Sequence, residues 1–126
     1  MSFTNYLETE ILDHVFGGNA YTAPATLYVG LYTAAPGEAG GGTELSGSGY
    51  ARQTAAFTVS GNTASNSANI EFPAATGNWG TVTHAGIFDA STGGNLIAYA
   101  TLTSSKVVET GDILRFSASQ LQVTLD

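Results

Sequence analysis

The chain has 126 residues, 43% of them hydrophobic, no cysteine, and a net charge of −7 from ten acidic residues set against Arg52, Lys106 and Arg115. That length suits one domain, residues 1–126, able to bury a single core, and the missing cysteines exclude a disulfide framework, a thiolate metal site and a cysteine nucleophile. Three scattered cations cannot form the basic footprint that nucleic acid or an anionic membrane surface requires, so neither is expected as a partner.

Only 10% of the residues are charged, well below the quarter usual for soluble domains, while short hydroxyl and amide side chains are abundant. Such groups stay hydrated and lose little rotamer entropy on contact, a composition that suits extracellular or virion β-proteins. The start Met1-Ser2-Phe3-Thr4-Asn5-Tyr6 lacks a basic or apolar leader pattern, and nowhere do about 18 apolar residues run together. Synthesis in the cytosol is expected.

Residues 1–18 hold the one helix candidate, over residues 5–16. Leu7, Ile11 and Val15 recur every four residues with Leu12 and Phe16 beside them, the spacing of an apolar helix face. Asn5 with Glu8 three positions on resembles a capping box, and Gly17-Gly18 supplies the stop. After Pro24, residues 26–33 alternate Leu27, Val29 and Leu31 with Tyr28 and Tyr32, which predicts a strand. Residues 36–49 are glycine-rich, carry Glu38 and Glu44, and read as a long exposed loop.

Residues 50–126 form the β-body together with that strand. Short strands are expected at 50–59, 69–72, 82–89, 96–102, 113–117 and 121–125, separated by turn signals such as Ser60-Gly61-Asn62 and Gly111-Asp112. The stretch from Trp79 to Leu102 reads as a hairpin closed by Ser91-Thr92-Gly93-Gly94-Asn95. One helix followed by many short strands predicts a mainly β fold, an antiparallel sandwich of jelly-roll type or a closed barrel, with one N-terminal α-helix. No repeat of fixed period occurs, against a solenoid.

The chemistry-bearing residues do not assemble into a catalytic pattern. His14 and Asp13 are adjacent on the helix and point about 100° apart, so they cannot face one ligand. His84 lies in a strand beside Val82 and Gly86 and reads as structural. Asp89 and Asp112 border turns, where aspartate bonds its own backbone. No spacing nominates a carboxylate pair, no serine sits in a Gly-x-Ser-x-Gly elbow, and the metal and phosphate motifs are missing. No enzyme activity, cofactor or metal is expected. Trp79, the single tryptophan, reads as a lid on one end of the body or as a contact anchor.

Several strings together resemble a family of small tailed-phage virion proteins, described as tail-fibre-like or as capsid decoration (cement) proteins. They are the opening Asn5-Tyr6-Leu7-Glu8 helix ending in His14-Val15-Phe16-Gly17-Gly18, then Leu27-Tyr28-Val29-Gly30-Leu31, and then Gly49-Tyr50-Ala51-Arg52. The runs Phe72-Pro73, Trp79 to His84, and Gly86-Ile87-Phe88-Asp89-Ala90 complete the set.

The resemblance implies a non-enzymatic structural protein of the virion. Its first form is a capsid decoration protein, a homotrimer bound to the major capsid protein on the exterior of an expanded head. Its alternative is a tail-fibre or receptor-binding module, with Trp79 and the tyrosines recognising a host glycan. The contact residues it nominates are Phe3 and Tyr6 in the N-terminal segment and Pro36, Glu38 and Glu44 in the glycine-rich arm. Tyr28, Tyr32 and Trp79 are added as aromatic anchors.

Overall fold

A computed structural model describes residues 1–125. In chain order the elements are β1 (Ser2–Phe3), α1 (Asn5–Val15), β2 (Leu27–Ala34), β3 (Thr43–Glu44), β4 (Gln53–Ala55) and β5 (Phe57–Ser60). They continue as β6 (Thr63–Asn66), β7 (Ile70–Glu71), β8 (Gly80–Phe88), β9 (Leu96–Val108), β10 (Arg115–Phe116) and β11 (Gln122–Thr124). The main sheet runs β1-β9-β8-β2-β3, with β4 also paired to β2; β10-β7 and β11-β6-β5 form two smaller sheets. All pairings are antiparallel. The sheets are open and sandwich-like, and among the described residues none closes on itself, so the barrel alternative does not hold.

The alternation of β2 sets both faces of the main sheet. Val29 and Leu31 are fully buried on one face, where they join Val82 and Ala85 of β8. Ile70, Phe72, Leu114, Phe116 and Leu121, brought by β7, β10 and their flanks, belong to the same core. On the other face Tyr32 packs with Phe88 and Leu96, and half-buried Tyr28 and Tyr99 lie against them. The tyrosines of β2 thus complete a second apolar layer.

The predicted strand at 50–59 divides at Ala56, because there the chain changes sheets: β4 pairs with β2, whereas β5 pairs with β6. Asn66, buried in β6, accepts from Leu121 N–H and donates to the Ala68 and Ser117 carbonyls, each at 2.9 Å. Those bonds satisfy a buried amide that would otherwise carry a desolvation penalty. The hairpin is longer than expected, since β9 continues to Val108, and its turn is held as predicted. Asp89 accepts from the backbone N–H of Asn95 at 2.7 Å and from its side-chain amide at 2.9 Å.

Two expectations for the N-terminal half are corrected. The helix cap is Thr4, not Asn5: its hydroxyl accepts from Leu7 N–H while lying 2.6 Å from the Leu96 carbonyl of β9. A residue with one oxygen facing both the helix and the sheet outcompetes a solvent-facing asparagine for the cap. The apolar helix face is also only partly used. Leu7 is buried, but Leu12, Val15 and Phe16 are 57%, 62% and 81% exposed, because α1 meets the sheet through its first turns and its last turn projects away.

The glycine-rich segment is not the free arm expected. Pro36 is buried, Glu44 pairs with Tyr32 in the ladder, and Leu45 N–H bonds the Leu31 carbonyl at 2.9 Å. Residues 38–42 form the exposed excursion of a segment pinned to β2. Gly42, at a φ of +78°, approaches the chain so closely that a Cβ there would lie 2.6 Å from the Ala35 carbonyl.

Candidate functional site

A cleft of about 460 Å³ opens where the first turn of α1, the glycine-rich excursion and the hairpin turn converge. Tyr32 and Phe88 form its floor, their rings stacked at 6.2 Å between centroids. Tyr6 contributes one wall and Glu44 with Arg52 the other; Glu38 stands exposed at the rim. The Asn5 N–H bonds the Glu38 carbonyl at 3.0 Å, which holds the rim against the helix.

Arg52 is the centre of this architecture. Its Nε and Nη2 donate to the two oxygens of Glu44, each at 2.8 Å, in a bidentate pair. Its Nη1 donates to the Ala90 and Gly93 carbonyls, again at 2.8 Å, clamping the hairpin turn. The guanidinium carbon lies 3.5 Å from the centroid of the Phe88 ring, a cation–π geometry. Tyr50 donates its hydroxyl to Glu44 Oε2 at 2.7 Å and accepts from Leu31 N–H at 3.0 Å. That hydroxyl takes the place of a strand partner in the gap that β2 shows between β4 and β3. Gly30 leaves room for the group: a Cβ there would meet Glu44 Oε2 and Phe88 at 2.8 Å and the Tyr50 hydroxyl at 3.0 Å.

The electrostatics follow from this packing. Burial, and second the Glu44 carboxylate, push the Tyr32 hydroxyl up to about 12. Burial and the hydrogen bond to Glu44 raise Tyr50 further, and the same carboxylate raises Arg52. Between pH 10 and 12 the unfolded chain therefore releases a tyrosine proton that the folded chain keeps. The stability tied to Tyr32 is complete below about pH 10 and is lost as pH rises through 12, at up to about 1.4 kcal/mol per pH unit. Urea midpoints are expected to stay level from pH 7 to 9.5 and to fall above 10. Tyrosinate absorbance should show a late-titrating class, and a midpoint unchanged to pH 12 would contradict the assignment.

The eight predicted contact residues separate into distinct environments. The cleft brings together Tyr6, Tyr32, Glu38 and Glu44. Tyr28 lies beside its floor and Phe3 is half-buried in β1. Pro36 and Trp79 are buried within the chain, and Tyr32 is buried beneath the cleft, so these three do not stand out as surface anchors. Trp79 is the lid: only 6% exposed, with Nε1 donating to the Ser48 carbonyl at 2.8 Å and its ring edge-on to Tyr50. Sequence reasoning missed Arg52 as an organiser, because its partner Glu44 lies across a glycine-rich turn that no periodicity links to it. His84 is half-buried with Nδ1 2.7 Å from the Thr83 hydroxyl. Among the described residues no group of three or more acidic or histidine side chains is placed to hold a metal ion.

The cleft is therefore a groove with an aromatic floor and a part-buried ion pair for a wall. A family model described as Podophage GP4 fiber I protein gp80 matches residues 2–124. The chain belongs to this family. Membership makes it a structural protein of a tailed bacteriophage, tail-fibre-like and a component of the virion. No curated protein matches the chain. The strings that resemble small tailed-phage virion proteins lie within the matched span.

Proposed function

We propose that this chain is a non-enzymatic subunit of the phage tail fibre, joined to a neighbouring fibre protein through the N-terminal helix. The observation that carries the reading is the match to a fibre protein family over residues 2–124. The exposed last turn of α1 supports it. Leu12, Val15 and Phe16 present apolar surface while the body of the fold is complete without them, and a protein built into a larger assembly has a use for such a surface.

The test is to locate the chain on purified virions by cryo-EM or by gold labelling of a tagged copy, with density or label expected on the fibre. Label confined to the head shell would overturn the reading in favour of a trimeric decoration protein on the major capsid protein. Paired L12S and F16S substitutions are expected to cut incorporation into virions at least tenfold. They should leave the thermal midpoint of the isolated chain within a few degrees, since exposed positions change stability by about 0.5 kcal/mol or less.

A further inference from the structure

Apart from the cleft, the hairpin lines a second concavity whose charge runs against the rest of the molecule. Between the pairs Val82↔Lys106 and His84↔Thr101, β9 places four residues, 102–105, where β8 places one, Thr83. The extra residues carry the strand off the sheet and leave a cavity of about 300 Å³ between β9 and the β10–β11 region. Lys106 and Arg115 both line it. They are two of only three cationic side chains in a chain of net charge −7, and the third, Arg52, is engaged by Glu44. No aspartate or glutamate lines the cavity, both cations are exposed, and among the described residues neither forms an ion pair.

The remaining lining suits hydroxyl-bearing ligands. Thr103, Ser104, Gln120 and Gln122 are among the residues that line the space, the Gln122 amide donating to the Ser119 carbonyl at 3.2 Å. Gln120 accepts from Ser117 N–H through its Oε1, which leaves its amide N–H₂ without a partner among the described residues. Phe116 and Leu121 supply an apolar floor at the edge of the core. Two cations over short hydroxyl and amide groups beside an apolar patch is the arrangement that recognises an anionic sugar. Its carboxylate or phosphate would meet Lys106 and Arg115, its hydroxyls the polar rim, and its C–H face the floor.

We infer that this cavity binds a saccharide residue bearing a negative charge. The net charge of the chain does not forbid it, because at physiological ionic strength charges beyond about 8 Å are largely screened and the two nearby cations dominate the local field. The competing explanation for Arg115 is its ladder partner Glu71, which lies opposite it in β7 but is not within ion-pair distance. The inference does not depend on where in the virion the chain sits.

The test is a titration of the isolated full chain with methyl glucuronide, glucose 6-phosphate, methyl glucoside and inorganic phosphate, followed by amide chemical shifts. Saturable shifts confined to residues 101–106 and 114–122 are expected for the two charged sugars, with millimolar affinity and a marked loss at high salt. K106Q and R115Q should each weaken binding about tenfold without moving the thermal midpoint, and E71Q should tighten it. The inference is overturned if methyl glucoside binds as well as methyl glucuronide, or if inorganic phosphate binds as tightly as glucose 6-phosphate. Shifts lying elsewhere, or both single variants binding like the wild type, would overturn it equally.

Discussion

Arg52→Ala is expected to lower the unfolding free energy by about 2–4 kcal/mol and the thermal midpoint by on the order of 10 °C. An exposed ion pair contributes only about 0.2–1 kcal/mol, whereas losing one partner of a buried pair costs about 3–5. The Arg52 side chain is 9% exposed and that of Glu44 24%, which places this pair between the two cases and nearer the second. Truncation also removes the bonds to the part-buried Ala90 carbonyl and the exposed Gly93 carbonyl and uncovers the Phe88 ring. Arg52→Lys restores charge but not the planar fork that reaches both Glu44 oxygens and both carbonyls, so it should recover less than half of the loss.

The same geometry makes the loss non-additive. Pairing Arg52→Met with Glu44→Gln removes both charges and should cost less than the two single substitutions together, because neither charge is left facing an apolar wall. Hydrogen exchange should quicken first in residues 89–95, the turn that Nη1 holds. Chemical denaturation of the four proteins measures the cycle. A single-variant loss below 1 kcal/mol, or strict additivity, would show that Arg52 is a surface residue in effect.

How much of this was legible beforehand depended on how far each signal reached along the chain. The faces of β2 were readable because alternation over eight residues is a strong period, and the structure keeps Val29 and Leu31 on one side and Tyr28 and Tyr32 on the other. The turn aspartate at Asp89 was readable because its partners lie within six residues. By contrast β1, β3, β7 and β10 have two residues each, too few to show any period: β1 and β3 form on the edges of the longer β9 and β2, and β7 and β10 pair only with each other. β6 reads Thr-Ala-Ser-Asn and has no apolar pattern; its pairing to β5 and β11 and the buried Asn66 amide define it instead.

The helix failed in an instructive way. Its apolar spacing was real, but spacing reports which residues share a face and not whether the face is covered. Only the turn tied to β9 through Thr4 is seated. The glycine-rich segment failed for the opposite reason: composition suggested a free arm, and two ladder pairs with one side-chain ion pair attach it. Each element of the candidate cleft comes from a different part of the chain, so the residues could be nominated singly but not assembled.

Trp79→Ala is expected to be the most damaging single substitution, at about 3–5 kcal/mol. The two readings of this residue predict different measurements. A contact anchor on the surface would lose binding on truncation and keep its stability; a core lid loses stability whether or not a ligand is present. Trp79 is 6% exposed, and its backbone N–H bonds the Val108 carbonyl at the open end of the hairpin. Its indole N–H bonds the Ser48 carbonyl, which also accepts from Thr76 N–H at 3.0 Å. Ser48 is held at a φ of 52°, a conformation that costs a non-glycine residue about 1 kcal/mol or more and persists where its surroundings over-determine it. Removing the ring would open a cavity beside Tyr50 and free Ser48 to relax, loosening the glycine-rich segment that carries Glu44. Trp79→Phe should keep most of the packing and lose about 1 kcal/mol for the missing bond to Ser48. As the single tryptophan, it also reports on itself: native emission should be blue-shifted and resist quenching, and should shift red in one step with global unfolding. Solvent-exposed emission in the native chain, or a Trp79→Ala variant as stable as the wild type, would return the residue to the surface role.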